Sequence, residues 1–312
     1  MMPDKIPKPL QDFLDEVNKG KSSYTPVDVR MQSEKVAAIF ALPKLELPFI
    51  INRFFHYSDH LIPVRIYHPK PEISLPVILH FHGGGHVAGS LETHDAICRR
   101  IAKSSECIVI AVDYRLAPEF PYPAGLEDCF AAFEERAKIL KDIHADVNQV
   151  FLMGDSAGGN LALSVCHKAK KKGDQQIQGL ALIYPSVDFA MQYDSIHRNG
   201  QGYLLTQEKI KWYFEHYFAK GGDRIKASPI NFDHLELLPP IYIAVAEYDP
   251  LYDEGLAFAE KVKNLNVPIT LENFKGMIHA FAQLEKLVPE QVMQLVDSTG
   301  SFIKRQRAKT IL

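Results

Sequence analysis

The sequence predicts an α/β fold, a mostly parallel sheet with helices on both faces, and three observations predict it. Short apolar, β-branched runs recur from residue 76 onward: PVILHFH (76–82), CIVIAVD (107–113), QVFLMGD (149–155), GLALIYP (179–185), PIYIAVAE (240–247) and PITLENF (268–274). They read as buried strands of a mostly parallel sheet. The segments between them carry helical spacing, and this alternation implies strands joined by crossover helices. With 312 residues, 46% of them apolar, the chain is long enough to bury a sizeable core.

Taken in order, residues 1–45 offer an amphipathic helix with Leu10, Phe13, Leu14 and Val17 on one face. INRFFHY (51–57) and IPVRIYHP (62–69) read as an antiparallel pair at one sheet edge. Ala162, Val165, Cys166 and Ala169 follow i, i+3, i+4, i+7 after the third buried run, and Val292, Leu295 and Val296 mark a helix near the end. Residues 190–235 break the alternation with an insertion whose Ile210, Tyr213, Phe214, Tyr217 and Phe218 form an aromatic stripe. The predicted organisation is a core of 46–189 and 236–312, with 1–45 and 190–235 as two helical pieces over the strand ends. Such an aromatic stripe is usually just packing, and it would equally line an apolar pocket if the two helical pieces meet over the strand ends, where ligands bind in open α/β sheets.

Charge sets no partner. Lys plus Arg number 35 against 38 for Asp plus Glu, a net charge of −3, so neither nucleic acid nor an anionic membrane surface is expected. The basic runs KAKKKG (168–173) and KRQRAK (304–309) fall at predicted helix ends, where lysines and arginines face the negative terminus. Cys98, Cys107, Cys129 and Cys166 are scattered without a C-x-x-C pair, as free thiols in a reducing compartment would be. No apolar run reaches the ~18 residues of a membrane span, and none at the N-terminus suits a signal peptide. A cytoplasmic protein with no integral membrane segment is expected.

The chemistry concentrates in GDSAGG (154–159). Ser156 stands in G-x-S-x-G at a strand-to-helix turn, where the bend strains the serine and its neighbours at −2 and +2 must lack side chains. The turn lifts the hydroxyl above the sheet and aims the amides of the following helix at whatever it attacks. A serine is a weak nucleophile, so a base and an orienting acid are needed, and on this architecture they follow in the order acid, then histidine. Of thirteen histidines, eight precede Ser156, and His167 lies roughly 16 Å along the serine's own helix. His197, His216 and His234 precede the last strands, which leaves His279 in KGMIHAF as the base. Asp249, just past a strand end and before Pro250, is the preferred acid over Glu247, assigned to the strand, and Asp253, assigned to the cap of the next helix.

HFHGGGH (80–86) admits two readings. His80 and His82 point to one face of a strand and suit a metal, yet His94 and Asp95, the near candidates to complete a site, do not match a known hydrolase spacing. Three glycines after a strand instead let the backbone approach an acyl carbonyl, with the Gly84 and Gly85 amides joining that of Ala157 as an oxyanion hole. On that reading His82 anchors the loop, and neither metal nor cofactor is required.

HGGG (82–85), DYRLAPEFPYPA (113–124), GDSAGGN (154–160), EYDPLYDEG (247–255) and HAF (279–281) together resemble the hormone-sensitive-lipase-like family of α/β-hydrolases, bacterial carboxylesterases in particular. The resemblance spans residues 50–285. It implies an eight-stranded α/β-hydrolase sheet with a helical cap, Ser156, Asp249 and His279 as triad, Gly84, Gly85 and Ala157 as oxyanion donors, and no cofactor. It further implies a small-molecule ester as substrate, with a short to medium acyl chain, and structural roles for Arg115 and Glu119. His86 departs from it, since a bulky aromatic or aliphatic residue is commoner there. An amidase or deacetylase would use the same triad, and a fold of this kind could also serve only to bind a small ligand. A homodimer is compatible with the sequence, which does not fix the oligomeric state.

Overall fold

The computed structural model describes residues 5–20 and 25–310; parts of the predicted N-terminal piece, 1–4 and 21–24, lie outside the described residues. Eight strands form one sheet: β1 (Phe49–Tyr57), β2 (His60–His68), β3 (Leu75–Phe81), β4 (Ile108–Val112), β5 (Ala145–Asp155), β6 (Ile177–Ile183), β7 (Ile241–Tyr248) and β8 (Ile269–Ile278). Their order is β1-β2-β4-β3-β5-β6-β7-β8. β1 and β2 pair antiparallel and β2 runs antiparallel to β4, while the remaining neighbours are parallel.

The central strands are apolar on both sides because both sides are covered. Every residue of β3 is buried. Val77 and Leu79 belong to one core with Val150 and Leu152 of β5. Ile78 faces the opposite core with Phe151 and Met153, as the two-residue period of a strand requires.

Helices α1 (Lys8–Val17), α2 (Pro26–Phe40), α3 (Asp95–Ser105), α4 (Ala124–Glu134), α5 (Arg136–Ile139), α6 (Ala157–Lys171), α7 (Ser195–Arg198), α8 (Gln207–Tyr217), α9 (Arg224–Ala227), α10 (Tyr252–Asn264) and α11 (Pro289–Thr310) complete the chain. α4, α6 and α10 supply Phe130, Leu161 and Phe258 to the first core, while α3 and α11 supply Ile101 and Val292 to the second. A third cluster lies apart from both: Val29 of α2 packs with Ile210, Phe214 and Tyr217 of α8 and with Leu251, just past the end of β7. The aromatic stripe of the insertion is therefore buried against residues around the strand ends.

Most strand bounds fall within two residues of the sequence reading, and two lie four residues away. β5 begins at Ala145 because it pairs there with Leu75 of β3, although 145–149 is not an apolar run. β8 continues to Ile278 across an irregularity in its pairing with β7. Gly276, at φ 71°, takes up the change of register, and its amide donates to Glu247 Oε2 at 2.8 Å. His279 thus follows a strand directly rather than lying inside a loop.

Arg30 fastens α2 to the core. Its Nε donates to Val87 O (2.8 Å), its Nη2 to Ala117 O (2.9 Å), and both terminal nitrogens reach the Glu119 carboxylate. Arg115 instead pairs with the buried Asp128, so the charged residues of DYRLAPE hold neighbouring segments together. Replacing Arg30 by Met should speed proteolytic cleavage between α2 and β1 several-fold with only a small loss of global stability, because a half-exposed ion pair contributes about 1 kcal/mol. Limited proteolysis alongside thermal melting checks this.

Candidate active site

β5 ends at Asp155 and α6 starts at Ala157, leaving Ser156 at φ 54°, ψ −120°. That conformation costs an L-residue of order 1–3 kcal/mol and persists only where neighbours enforce it. They do. Ser156 N donates to Ile183 O of β6 at 2.9 Å, and Ser156 O accepts from Gly159 N (3.0 Å) and Ser186 N (3.1 Å). A Cβ on Gly158 would collide with Phe81 O of β3, and one on Gly154 with Gly158 O. The glycines at −2 and +2 let the turn sink between three strands.

β7 and β8 deliver the other two side chains. Asp249 follows β7 and is fully buried, and one of its oxygens, Oδ1, accepts from Leu251 N at 2.8 Å. The other, Oδ2, lies 2.6 Å from His279 Nδ1, and His279 Nε2 lies 2.9 Å from Ser156 Oγ. A carboxylate only accepts, so the imidazole proton sits on Nδ1 and Nε2 is left to accept from the hydroxyl. Glu247, weighed as an alternative acid, is bonded to Gly276 N. Asp253 does not cap α10, whose N-cap is Leu251; it accepts from Ser195 N (2.8 Å) and pairs with Arg198, tying the insertion to the core.

The glycine loop leaves β3 beside the serine. Gly84 (φ 119°) and Gly85 (φ 63°) occupy conformations open to glycine, and a Cβ on Gly85 would strike the Tyr213 ring of α8. Neither amide donates to a protein acceptor among the described residues. Ala157, at the first position of α6, contributes a third amide at a helix N-terminus. His82 is buried, its Nδ1 2.8 Å from Gly83 O and its ring stacked on Tyr114 at 4.3 Å, while Tyr114 donates its hydroxyl to His82 O. Among the described residues no three His, Cys, Asp or Glu side chains group as metal ligands.

Sequence reasoning missed what lies beneath this loop. Asp155 Oδ1 accepts from Gly83 N (2.9 Å) and faces His94 Nε2 at 3.1 Å, and Oδ2 accepts from Gln283 Nε2 at 3.0 Å. Burial alone would raise this carboxyl, but His94, together with His80 and Gln283, holds it well below the usual carboxylate range. One signal was available in the sequence: an acid next to the serine, closing an otherwise apolar strand, must be paired if it is buried.

The site opens into a cavity of about 190 Å³ reached by Ser156, His279, Gly84 and Gly85, with Val29 and Val36 of α2 and Ile210 and Phe214 of α8 among its walls. His86 has both ring nitrogens buried without a hydrogen bond, and its ring stacks on Tyr217 at 3.7 Å. The imidazole thus takes the place of the expected bulky aromatic by stacking as one.

Two outcomes follow. Burial pushes His80, His82 and His86 from 6.5 down to about 3. Between those values the unfolded chain binds protons that the native one cannot, so these histidines should pull stability down as the pH drops below about 6.5, by up to about 1.4 kcal/mol per histidine per pH unit. Melting curves from pH 8 to 5 test this, and His86→Phe should make the fall shallower. Asp155→Asn should lower kcat/KM for esters about tenfold to a hundredfold by loosening the loop, with part of the loss visible in the melting temperature.

Residues 78–283 match the α/β-hydrolase-fold family. The chain is 36% identical over 234 residues, 73% of each protein, to esterase LipI of Mycobacterium tuberculosis. It is 30% identical over 270 residues to an ethyl acetate hydrolase of Pseudomonas putida, covering 84% of this chain and 85% of that one. A solved ester hydrolase from the metagenome of Lake Arreo, complexed with a bipyridine phosphonate derivative, superposes with a TM-score of 0.91 at 30% identity, covering 97% of this chain and 99% of that one. The chain belongs to the α/β-hydrolase-fold family, in its hormone-sensitive-lipase-like branch.

Proposed function

We propose that the protein is a serine carboxylesterase that cleaves short- to medium-chain carboxylic esters through an acyl-enzyme. The observation that carries this is the unbroken line Asp249–His279–Ser156, at 2.6 and 2.9 Å, beside the amides of Gly84, Gly85 and Ala157. Relatives named as esterases, carboxylesterases and an ethyl acetate hydrolase support ester hydrolysis and do not favour the amidase reading.

His279 takes the hydroxyl proton as Ser156 Oγ attacks the ester carbonyl, and the charge that develops on the carbonyl oxygen is met by the three amides. His279 returns the proton to the departing alcohol, leaving the acyl group on Ser156. Water, activated by the same imidazole, then frees the carboxylic acid and restores the serine. Asp249 holds the imidazole in the Nδ1–H form and stabilises it while it carries the extra proton. No step draws on a metal or cofactor.

Residues 1–45 and 190–235 act as the cap over this site, a reading supported by Val29, Ile210 and Phe214 in the cavity wall. The four cysteines, all free and buried, favour a reducing, cytoplasmic setting, and no helix among the described residues is long and apolar enough to cross a membrane.

Ser156→Ala should lower p-nitrophenyl acetate and butyrate hydrolysis by about 10⁴-fold or more with the melting temperature nearly unchanged. Turnover retained in a folded Ser156→Ala variant refutes the nucleophile, and loss of wild-type turnover in EDTA refutes the metal-free mechanism.

A further inference from the structure

Beyond the catalytic cavity the molecule holds a second one that the chemistry at Ser156 does not use. It measures about 420 Å³, lies between α6 and the inserted segment, and shares no lining residue with the first. His86 lines the catalytic cavity and Tyr217 the second, and their rings, stacked at 3.7 Å with 4° between their planes, form the partition.

One face of α6 makes its floor, where Asn160 and Ser164, four residues apart, point the same way. Asn160 Nδ2 donates to Ser186 O at 3.1 Å, which fixes the amide and turns Oδ1 away from that carbonyl. Asn160 Oδ1, Ser164 Oγ and the Tyr217 hydroxyl have no hydrogen-bond partner among the described residues. Their residues are only 3%, 7% and 3% exposed, yet these three oxygens are not sealed from solvent as Ser186 Oγ is. All three residues line the second cavity and none lines the first, so the exposure they keep opens into it. The rings of Tyr122, Phe189, Tyr217 and Phe232 wall it. At the mouth the charges are already matched: His167 and Lys171 hold Asp233 at 2.7 and 2.9 Å, Lys226 faces Asp223 at 3.7 Å, and the Lys168 ammonium lies 4.1 Å from the centre of the Phe130 ring.

We infer that this cavity is a second binding site, for a small neutral phenol. Water can serve the three oxygens but gains nothing from the rings, whereas a flat hydroxyl-bearing ring satisfies both. Its O–H donates to Asn160 Oδ1, which can only accept, and its oxygen accepts from the Ser164 or Tyr217 hydroxyl. A charged ligand has no such advantage, because the ions at the mouth hold one another. The site stands apart from the esterase reading, which neither requires it nor depends on it.

The probe is 4-fluorophenol, followed by its ¹⁹F resonance, with 4-fluoroanisole as the match that keeps the ring but has no proton to donate. The titration uses protein whose catalytic cavity is filled by reaction with an alkyl p-nitrophenyl phosphonate. Failure of that reaction counts against the esterase reading alone, and the titration then runs on untreated protein. The phenol should bind saturably with a Kd of about 1 mM or below, at least about threefold tighter than the anisole. Its Kd should rise about threefold or more in Tyr217→Phe, which keeps the stacked ring, and in Ser164→Leu, which fills the floor. If Ser164→Leu does not fold, as its melting curve shows, Ser164→Ala takes its place with the same expected rise. A Kd well above about 1 mM, a smaller preference for the phenol, or a smaller rise in either folded variant overturns the inference.

Discussion

The bend at Ser156 is the constraint on which the rest depends. An L-residue at φ 54° is held there by hydrogen bonds from β6 and its following loop, and by two glycines that let α6 begin almost in contact with β3. The local cost, of order 1–3 kcal/mol, is spread over a sheet whose central strands are buried on both faces. Because the bend is fixed, the hydroxyl has one place to be. β7 and β8 need only end at the right height for Asp249 and His279 to reach it, and Gly276 sets that height for β8.

Two buried carboxylates flank this serine, and their surroundings give them different work. Asp249 spends one oxygen on the Leu251 amide and the other on His279, so its charge is expressed through the imidazole. Asp155 spends its oxygens on the Gly83 amide, His94 and Gln283, so its charge holds the glycine loop from below. Neither is left uncompensated, as burial of an ion demands.

Much of the fold was legible because burial on both faces writes strands as apolar runs, and five such runs fall on β3 to β7; the sixth falls on β8, which lies at the sheet edge with Thr270, Leu271 and Asn273 exposed rather than buried. Residues 156, 249 and 279 were legible for another reason. A strained turn restricts which residues can flank a serine, and chain order then filters thirteen histidines down to one. The fold brings those three side chains into hydrogen-bonding distance. That Asp155 needs partners could be read from its place beside the serine, but which partners could not, because residues 83, 94 and 283 share no period or motif and meet it only when α3, β5 and the turn after β8 converge. Asp253 was misjudged as a cap for a similar reason: its partners, Ser195 and Arg198, come from an insertion that no local rule connects to it. Arg30, too, finds Glu119 only through the tertiary fold.

The most direct measurement is a crystal structure of the enzyme after reaction with an alkyl p-nitrophenyl phosphonate. The predicted result is a covalent bond from phosphorus to Ser156 Oγ, with the phosphoryl oxygen about 2.7–3.1 Å from the amide nitrogens of Gly84, Gly85 and Ala157. Attachment at another residue, or a phosphoryl oxygen turned away from those amides, would contradict it.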